Sequence, residues 1–332
     1  MMRNRLVDIR GLHVSFKNDG KELTAVDNIS FYVEEKETLG IVGESGCGKS
    51  LTSLALMGLV PPNGIVRAER ILFEGENLIN KNRDEMRMIR GNRMSMIFQE
   101  PMTSLNPVLT VGFQMIEVLT IHQGMNKRMA WEASVAMLDK VGIAAPERCM
   151  RSYPYEMSGG MRQRIMIAMA LLCNPKLLIA DEPTTALDVT IQAQILNLIK
   201  KLKDESAMSV ILITHDLGVV AETCERVVVM YAGEIVETAQ VGELFNNPLH
   251  PYTRGLMEAI PQLERSADRL NVIRGTVPSL SNMPVGCKFH PRCDSACEVC
   301  RNKRPPTVEH ENHFVSCWLY ADPSVEKGDE AS

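Results

Sequence analysis

Between residues 5 and about 37, apolar and polar side chains alternate, as in Val7-Asp8-Ile9-Arg10 and Ile29-Ser30-Phe31-Tyr32-Val33. A period of two puts one face of an extended chain into a core, so this stretch predicts antiparallel strands. The pattern then shifts to short apolar runs: Thr38 to Val42, Lys176 to Ala180, Ser209 to Thr214 and Val227 to Met230. Runs of this length read as buried strands of a parallel core. From Pro101 to about Tyr155 the period changes again. Val111 to His122 and Arg128 to Val141 carry apolar residues at three- and four-residue spacing, which predicts a helical insertion. Beyond about Asn246 the prolines 248, 251, 261, 278, 284 and 291 mark a loop-rich extension. The order predicts a doubly wound α/β architecture with an antiparallel β subdomain, a parallel-sheet core, a helical insertion and an irregular C-terminal extension.

The run ending at Val42 leads into Gly43-Glu44-Ser45-Gly46-Cys47-Gly48-Lys49-Ser50, which fits G-x-x-x-x-G-K-[ST], and a helix follows from Lys49. Glycines let the chain wrap with its N–H groups inward, and the helix start favours phosphate oxygens. In such a loop Lys49 reaches the β/γ-phosphates and the Ser50 hydroxyl holds Mg²⁺. A second acidic site, Asp181-Glu182, ends the run from Lys176. Neighbouring strand-end residues point in different directions, so Asp181 suits the metal and Glu182 the attacking water, as general base. Ser158-Gly159-Gly160 opens another helix, whose exposed amides suit an anion. His215 follows the run from Ser209.

Composition narrows the class. Among 332 residues, 45% are hydrophobic and 23% charged, as in ordinary globular proteins. The net charge of −5 argues against a general nucleic-acid binder. Met1 to Asp8 holds no apolar signal core, and the longest uncharged apolar run, Ile165 to Cys173, is far short of the ~20 residues of a membrane span. The expectation is a cytosolic chain that meets a membrane only through partners. Five of nine cysteines, Cys287, Cys293, Cys297, Cys300 and Cys317, crowd the last fifty residues. In a reducing compartment, clustered thiols in a segment with little core suggest a metal staple. Only Cys297 and Cys300 make a C-x2-C pair, so the spacing is poor for a zinc ribbon, while four soft thiolates also suit an iron–sulfur cluster. Cys47, inside the glycine loop, is a candidate for oxidation.

The order glycine loop, Gln99, Ser158-Gly159-Gly160-Met161-Arg162-Gln163-Arg164, Asp181-Glu182, Ala186-Leu187-Asp188, His215 resembles an ABC-transporter nucleotide-binding subunit over residues 5 to about 245. The resemblance implies a P-loop ABC ATPase with ATP and Mg²⁺. It makes Gln99 the residue that senses Mg²⁺ and the membrane partner. It makes Met157 to Met161, with Gln163, the signature that completes a nucleotide on an opposite subunit; methionine stands where many members have leucine and glutamine. Asp188 becomes the D-loop residue, His215 the switch histidine on the γ-phosphate, and Phe16 the aromatic stacked on adenine. The catalytic set is then Glu182, His215 and Gln99, and the Mg²⁺ set Ser50, Gln99 and Asp181.

Further on, His250-Pro251-Tyr252-Thr253-Arg254-Gly255-Leu256 and Gly286-Cys287-Lys288-Phe289-His290-Pro291-Arg292-Cys293 closely resemble the dipeptide/oligopeptide importer ATPases, whose nickel-importing relatives share much of this segment. The resemblance implies a [4Fe–4S] cluster on Cys287, Cys293, Cys300 and Cys317, with zinc as the alternative and Cys297 a bystander. It also implies a second, similar ATPase as heterodimer partner, two transmembrane permeases, an extracytoplasmic solute-binding protein and a peripheral place on the cytoplasmic face of the membrane. The domains expected are 1–246, nucleotide-binding with a helical subdomain at about 101–156, and 247–332, the extension. A soluble ATPase acting on nucleic acid or the ribosome fits less well, because this chain has one P-loop and an acidic balance. Glu182 and His215 argue against a scaffold that binds ATP without cutting it.

Overall fold

In the computed structural model, which describes residues 4–18, 20–99, 104–185, 188–259 and 273–321, the alternating N-terminal stretch becomes two long strands, β1 (Arg5–Asn18) and β2 (Lys21–Glu34). There follow β3 (Thr38–Val42), α1 (Lys49–Leu56), β4 (Gly64–Arg67), β5 (Arg70–Phe73), β6 (Glu76–Asn77), α2 (Arg83–Ile89) and β7 (Met94–Ile97). The middle of the chain holds α3 (Val111–Gln123), α4 (Lys127–Lys140), α5 (Pro146–Arg151), α6 (Gly159–Leu171), β8 (Leu177–Asp181), α7 (Val189–Ser206) and β9 (Ser209–Thr214). The last part holds α8 (Leu217–Thr223), β10 (Arg226–Tyr231), β11 (Glu234–Gln240), α9 (Val241–Asn246), α10 (Pro251–Glu258), α11 (Glu298–Asn302), β12 (Thr307–His310) and β13 (His313–Ser316).

The chain forms two units. The first comprises Met1–Val7, Tyr32–Thr38 and Leu72–Ile213. Its core is the parallel set β7-β8-β9, registered Met94↔Leu177 and Leu177↔Ser209, with every strand residue buried. That is why these strands read as unbroken apolar runs rather than alternating ones. In this unit α3, α4, α6 and α7 start where short polar side chains accept from the free N–H groups of the first turn: Thr110, Asn126, Ser158 and Asp188 respectively.

The second unit comprises Asp8–Phe31, Leu39–Ile71 and Thr214–Ser332. In it β4 pairs antiparallel with β1, setting Phe16 opposite Gly64. Its larger sheet runs β12-β13-β11-β10-β3. β3 and β10 are parallel, with Ile41 opposite Val228, and the other pairs are antiparallel. The C-terminal extension therefore adds two strands to the sheet that carries the glycine loop.

The extension also has more core than its prolines predict. Tyr231 at the end of β10 packs on Tyr252 of α10 (ring centroids 4.7 Å apart) and edge-on against Phe289 (5.1 Å). Cys287 and Cys293 lie against this cluster. Polar contacts fix the rest. The buried carboxylate of Glu237 accepts from the backbone N–H groups of Leu249 and His250 and meets His313 Nε2. Lys288, itself buried, donates to the Ala232 carbonyl and pairs with Asp27 and Glu234, which Arg304 also bridges. Each charge in this group has an opposite neighbour, as burial requires.

Candidate functional site

The phosphate-type loop lies wholly in the second unit. β3 delivers Gly43, where a side chain is impossible: a Cβ there would lie 2.2 Å from the Met230 carbonyl oxygen. Gly48, in the left-handed region at φ 102°, is the N-cap of α1. Lys49 follows, only 5% exposed, and its Nζ donates to the carbonyls of Gly43 (2.7 Å) and Glu44 (3.0 Å). The ammonium is thus folded back across its own loop, held by two acceptors. Ser45 and Gly46 are exposed at the loop crest and Ser50 is half-buried in the first turn of α1. The first turn of α1 holds no acidic residue to oppose an anion. Cys47 departs from the sequence expectation of an oxidisable thiol. It is fully buried, and burial pushes its thiol up. A protonated, inaccessible sulfur is a poor nucleophile. Its carbonyl accepts from Gly233, which ties the loop to the β10–β11 turn.

The acidic pair lies in the first unit. β8 ends on Asp181, which is buried, and Glu182 then turns into the left-handed region at φ 46°. Such a backbone in a non-glycine residue costs on the order of 1 kcal/mol or more, and it gathers at functional sites. Here it swings Glu182 away from the strand line, while its N–H remains bonded to the Ile213 carbonyl at 2.9 Å. Gln99, just past β7, donates from Nε2 to Glu182 Oε2 at 2.9 Å, and Thr185 Oγ1 donates to the same oxygen at 2.9 Å. Both donors meet the carboxylate at one oxygen, Oε2, and so fix its orientation. The sequence placed Gln99 and Glu182 in one site; the contact between them, and the part of Thr185, carried no sequence signal.

The helix α6 begins as expected for an N-terminus with small residues: Ser158 caps it, its Oγ accepting from the Met161 N–H. Gly159 and Gly160 form the first turn, Met157 is buried and Met161 is exposed. Gln163, buried on the same helix, donates to the Pro183 carbonyl, so the signature helix grips the loop that carries Glu182. Asp188 is exposed and caps α7 through the Ile191 N–H at 2.9 Å. In the second unit His215 is exposed, and Asp216 next to it caps α8. Phe16 is half-buried on β1, its ring edge beside Gly64.

Comparison with known proteins bears on the whole of this arrangement. The family described as "ABC transporter" matches residues 26–185, and "Oligopeptide/dipeptide transporter, C-terminal region" matches residues 236–300. The chain is 49% identical to the oligopeptide transport ATP-binding protein AppD of Bacillus subtilis, covering 97% of this chain and 99% of that one. It is 50% identical to the oligopeptide transport ATP-binding protein OppD of Haemophilus influenzae, covering 96% and 98%. The chain belongs to the ABC transporter ATP-binding subunits. Its fold is similar to a dimeric, post-hydrolysis ATP-binding cassette bound to ADP and Pi (MJ0796), at TM-score 0.62 and 27% identity over 71% of this chain and 98% of that one. As a member of this family it is an ATPase, with ATP and Mg²⁺ the expected ligands. Among the described residues no helix is long and apolar enough to cross a membrane.

The clustered cysteines of this ABC subunit are neighbours in space. Burial pushes the Cys287 thiol up to about 11, helped by the charges of Cys300 and Cys317. Cys317 is likewise pushed up to about 11, by burial first and then by Cys293, Cys300 and Cys297. Cys287 N–H bonds to the Cys300 carbonyl. Cys297, read from the sequence as a bystander, sits with its Sγ 3.3 Å from that of Cys300. Among the described residues no three His, Cys, Asp or Glu side chains are gathered as a metal centre. The donor chemistry is that of soft thiolates; the arrangement of the side chains is not that of a formed cluster.

Proposed function

We propose that this chain hydrolyses ATP to energise import of di- and oligopeptides through a separate pair of membrane permeases. The observation that carries the peptide reading is the C-terminal region: the match over residues 236–300 to the oligopeptide/dipeptide transporter description adds a substrate class to the ATPase head. Lys49 and the amides at the start of α1 hold the β/γ-phosphates. Ser50, Asp181 and Gln99 would hold Mg²⁺, which supplies charge neutralisation at the phosphates. Glu182 takes the proton of the attacking water as its oxygen bonds to the γ-phosphorus and the bond to the β-phosphate oxygen breaks, giving ADP and phosphate. His215 contacts the γ-phosphate, and Phe16 stacks on adenine. Ser158, Gly159, Gly160 and Gln163 act on the nucleotide held by the partner subunit, with Asp188 at the dimer seam. A second, similar ATPase, an extracytoplasmic binding protein and a peripheral place on the cytoplasmic face complete the assembly.

The functional division we propose is residues 1–246 for nucleotide chemistry and 247–332 for the extension. Residues 101–156 dock on the permease, since Gln99, which contacts Glu182, leads directly into them. Cross-links from a cytoplasmic permease helix should land between Gln99 and residue 156. Cross-links that map to the cysteine-rich extension instead would contradict this docking.

The cysteines support a finer reading. Cys287, Cys293, Cys300 and Cys317 would hold one [4Fe–4S] cluster; four soft donors support it, and a spacing poor for a zinc ribbon favours it over zinc, the alternative. Such a cluster would fasten the extension. Anaerobically purified protein should contain about four iron atoms per chain and absorb near 400 nm as iron–sulfur proteins do, and should lose both in Cys300→Ser. Cys297→Ser should keep them. Stoichiometric zinc without iron would replace the cluster by a zinc staple; loss of iron in Cys297→Ser would change the ligand set.

A further inference from the structure

Glu44 is a carboxylate set inside a loop built to receive a triphosphate. Left to itself it would repel the very ligand its neighbours attract. The structure places a dedicated cation against it from 248 residues away. Arg292 donates from Nη1 to Glu44 Oε2 at 2.6 Å and from Nη2 to Glu44 Oε1 at 3.0 Å, a two-point guanidinium–carboxylate pair. The guanidinium is in turn fixed on its far side. Its Nε donates to the Arg274 carbonyl at 2.8 Å, and Nη2 also reaches the Ile273 and Gly275 carbonyls. It lies over the Tyr231 and Phe289 rings, and its side chain is 5% exposed. From the same extension, the buried Tyr252 hydroxyl accepts the Glu44 backbone N–H at 2.8 Å. Burial pushes the Tyr252 phenol up and keeps it protonated. The second residue of the loop is thus gripped at both side chain and amide by the C-terminal extension.

We propose that Arg292 is a positioning residue for ATP binding: it neutralises and fixes Glu44, so that the loop beginning at Gly43 presents Lys49 and its amides to the phosphates without an opposing charge. The proposal rests on the reading of Gly43 to Ser50 as the phosphate site. It gives the extension a direct part in nucleotide affinity, beyond fastening the C-terminal segment. Arg292 touches no reacting atom and acts only through Glu44.

The test measures ATP and ADP affinity, and kcat and KM for ATP, on the full chain in the assembled transporter. Arg292→Met leaves one unpaired negative charge beside a polyanion. ATP affinity should fall on the order of tenfold, ADP affinity less, and the loss should shrink at high salt; kcat at saturating ATP should stay within about twofold. Glu44→Gln alone should bind ATP at least as tightly as wild type. Adding Glu44→Gln to Arg292→Met should restore ATP affinity to within about threefold, a rescue that a merely structural role for Arg292 would not produce. If Arg292→Met does not fold, Glu44→Gln alone still decides, because a fall in ATP affinity there would mean that Glu44 itself serves the nucleotide and would overturn the proposal. Unchanged ATP affinity in a folded Arg292→Met, or no rescue by Glu44→Gln, would overturn it as well. Lys49→Ala, measured alongside, separates the two readings: if it keeps ATP affinity, the phosphate-site assignment fails, whereas if it loses affinity while Arg292→Met does not, only the role of Arg292 fails.

Discussion

Glu182→Gln should bind ATP within a few-fold of wild type and hydrolyse it ~10²–10⁴-fold more slowly. The geometry makes this a clean substitution. The oxygen that accepts from Gln99 and Thr185 becomes an amide oxygen of the same shape, so both hydrogen bonds and the left-handed turn held by Ile213 persist. What disappears is the capacity to take a proton from water. The effect belongs on kcat rather than on KM, because no ground-state contact to the phosphates is removed. Wild-type turnover in this variant would take Glu182 out of the mechanism, and a collapse in ATP affinity would make it a binding group.

Lys49→Ala should show the opposite division. The Lys49 ammonium is buried, donates to the Gly43 and Glu44 carbonyls and lies 3.9 Å from Cys47 Sγ, so it is pre-positioned at the loop. Charge-assisted hydrogen bonds are worth about 1.5–3 kcal/mol, so ATP affinity should fall about ten- to a hundredfold. Titration of a fluorescent ATP analogue reads this directly. The protein should remain folded, because Gly43 and Glu44 keep their other contacts: Glu44 stays clamped by Arg292 and Tyr252. Undiminished affinity would move the phosphate site elsewhere.

How far the sequence foretold these sites depended on how local each signal was. The strand Thr38–Val42 and the helices near 111–123 and 127–140 were legible because a single face, or both faces, of one element determined each pattern. The loop from Gly43 to Ser50 was legible because its chemistry is contiguous. The hairpin of β12 and β13 was not. Its strands are four residues each, mostly exposed on β12, and the turn at Glu311-Asn312, with φ of 51° and 64°, carries neither glycine nor proline. The extension read as having little core because Tyr231, Tyr252 and Phe289 are separated along the chain and meet only in the fold. The bond between Gln99 and Glu182 spans 83 residues and that between Arg292 and Glu44 spans 248. No periodicity or motif carries a pairing of that range; it arises from sheet order. The burial of Cys47 was equally invisible, since a thiol in a glycine loop looks the same in sequence whether it faces solvent or the sheet.

The measurement that bears most directly on the whole account is ATP-driven accumulation of a labelled short peptide in proteoliposomes. These would carry this chain with the partner subunits proposed above, with the solute-binding protein supplied on the outer side. The account predicts that wild-type protein accumulates peptide with concurrent ATP hydrolysis and that Glu182→Gln, which still binds ATP, stops both. Peptide accumulation that continued undiminished with Glu182→Gln, or ATP hydrolysis by wild-type protein that moved no peptide, would contradict it.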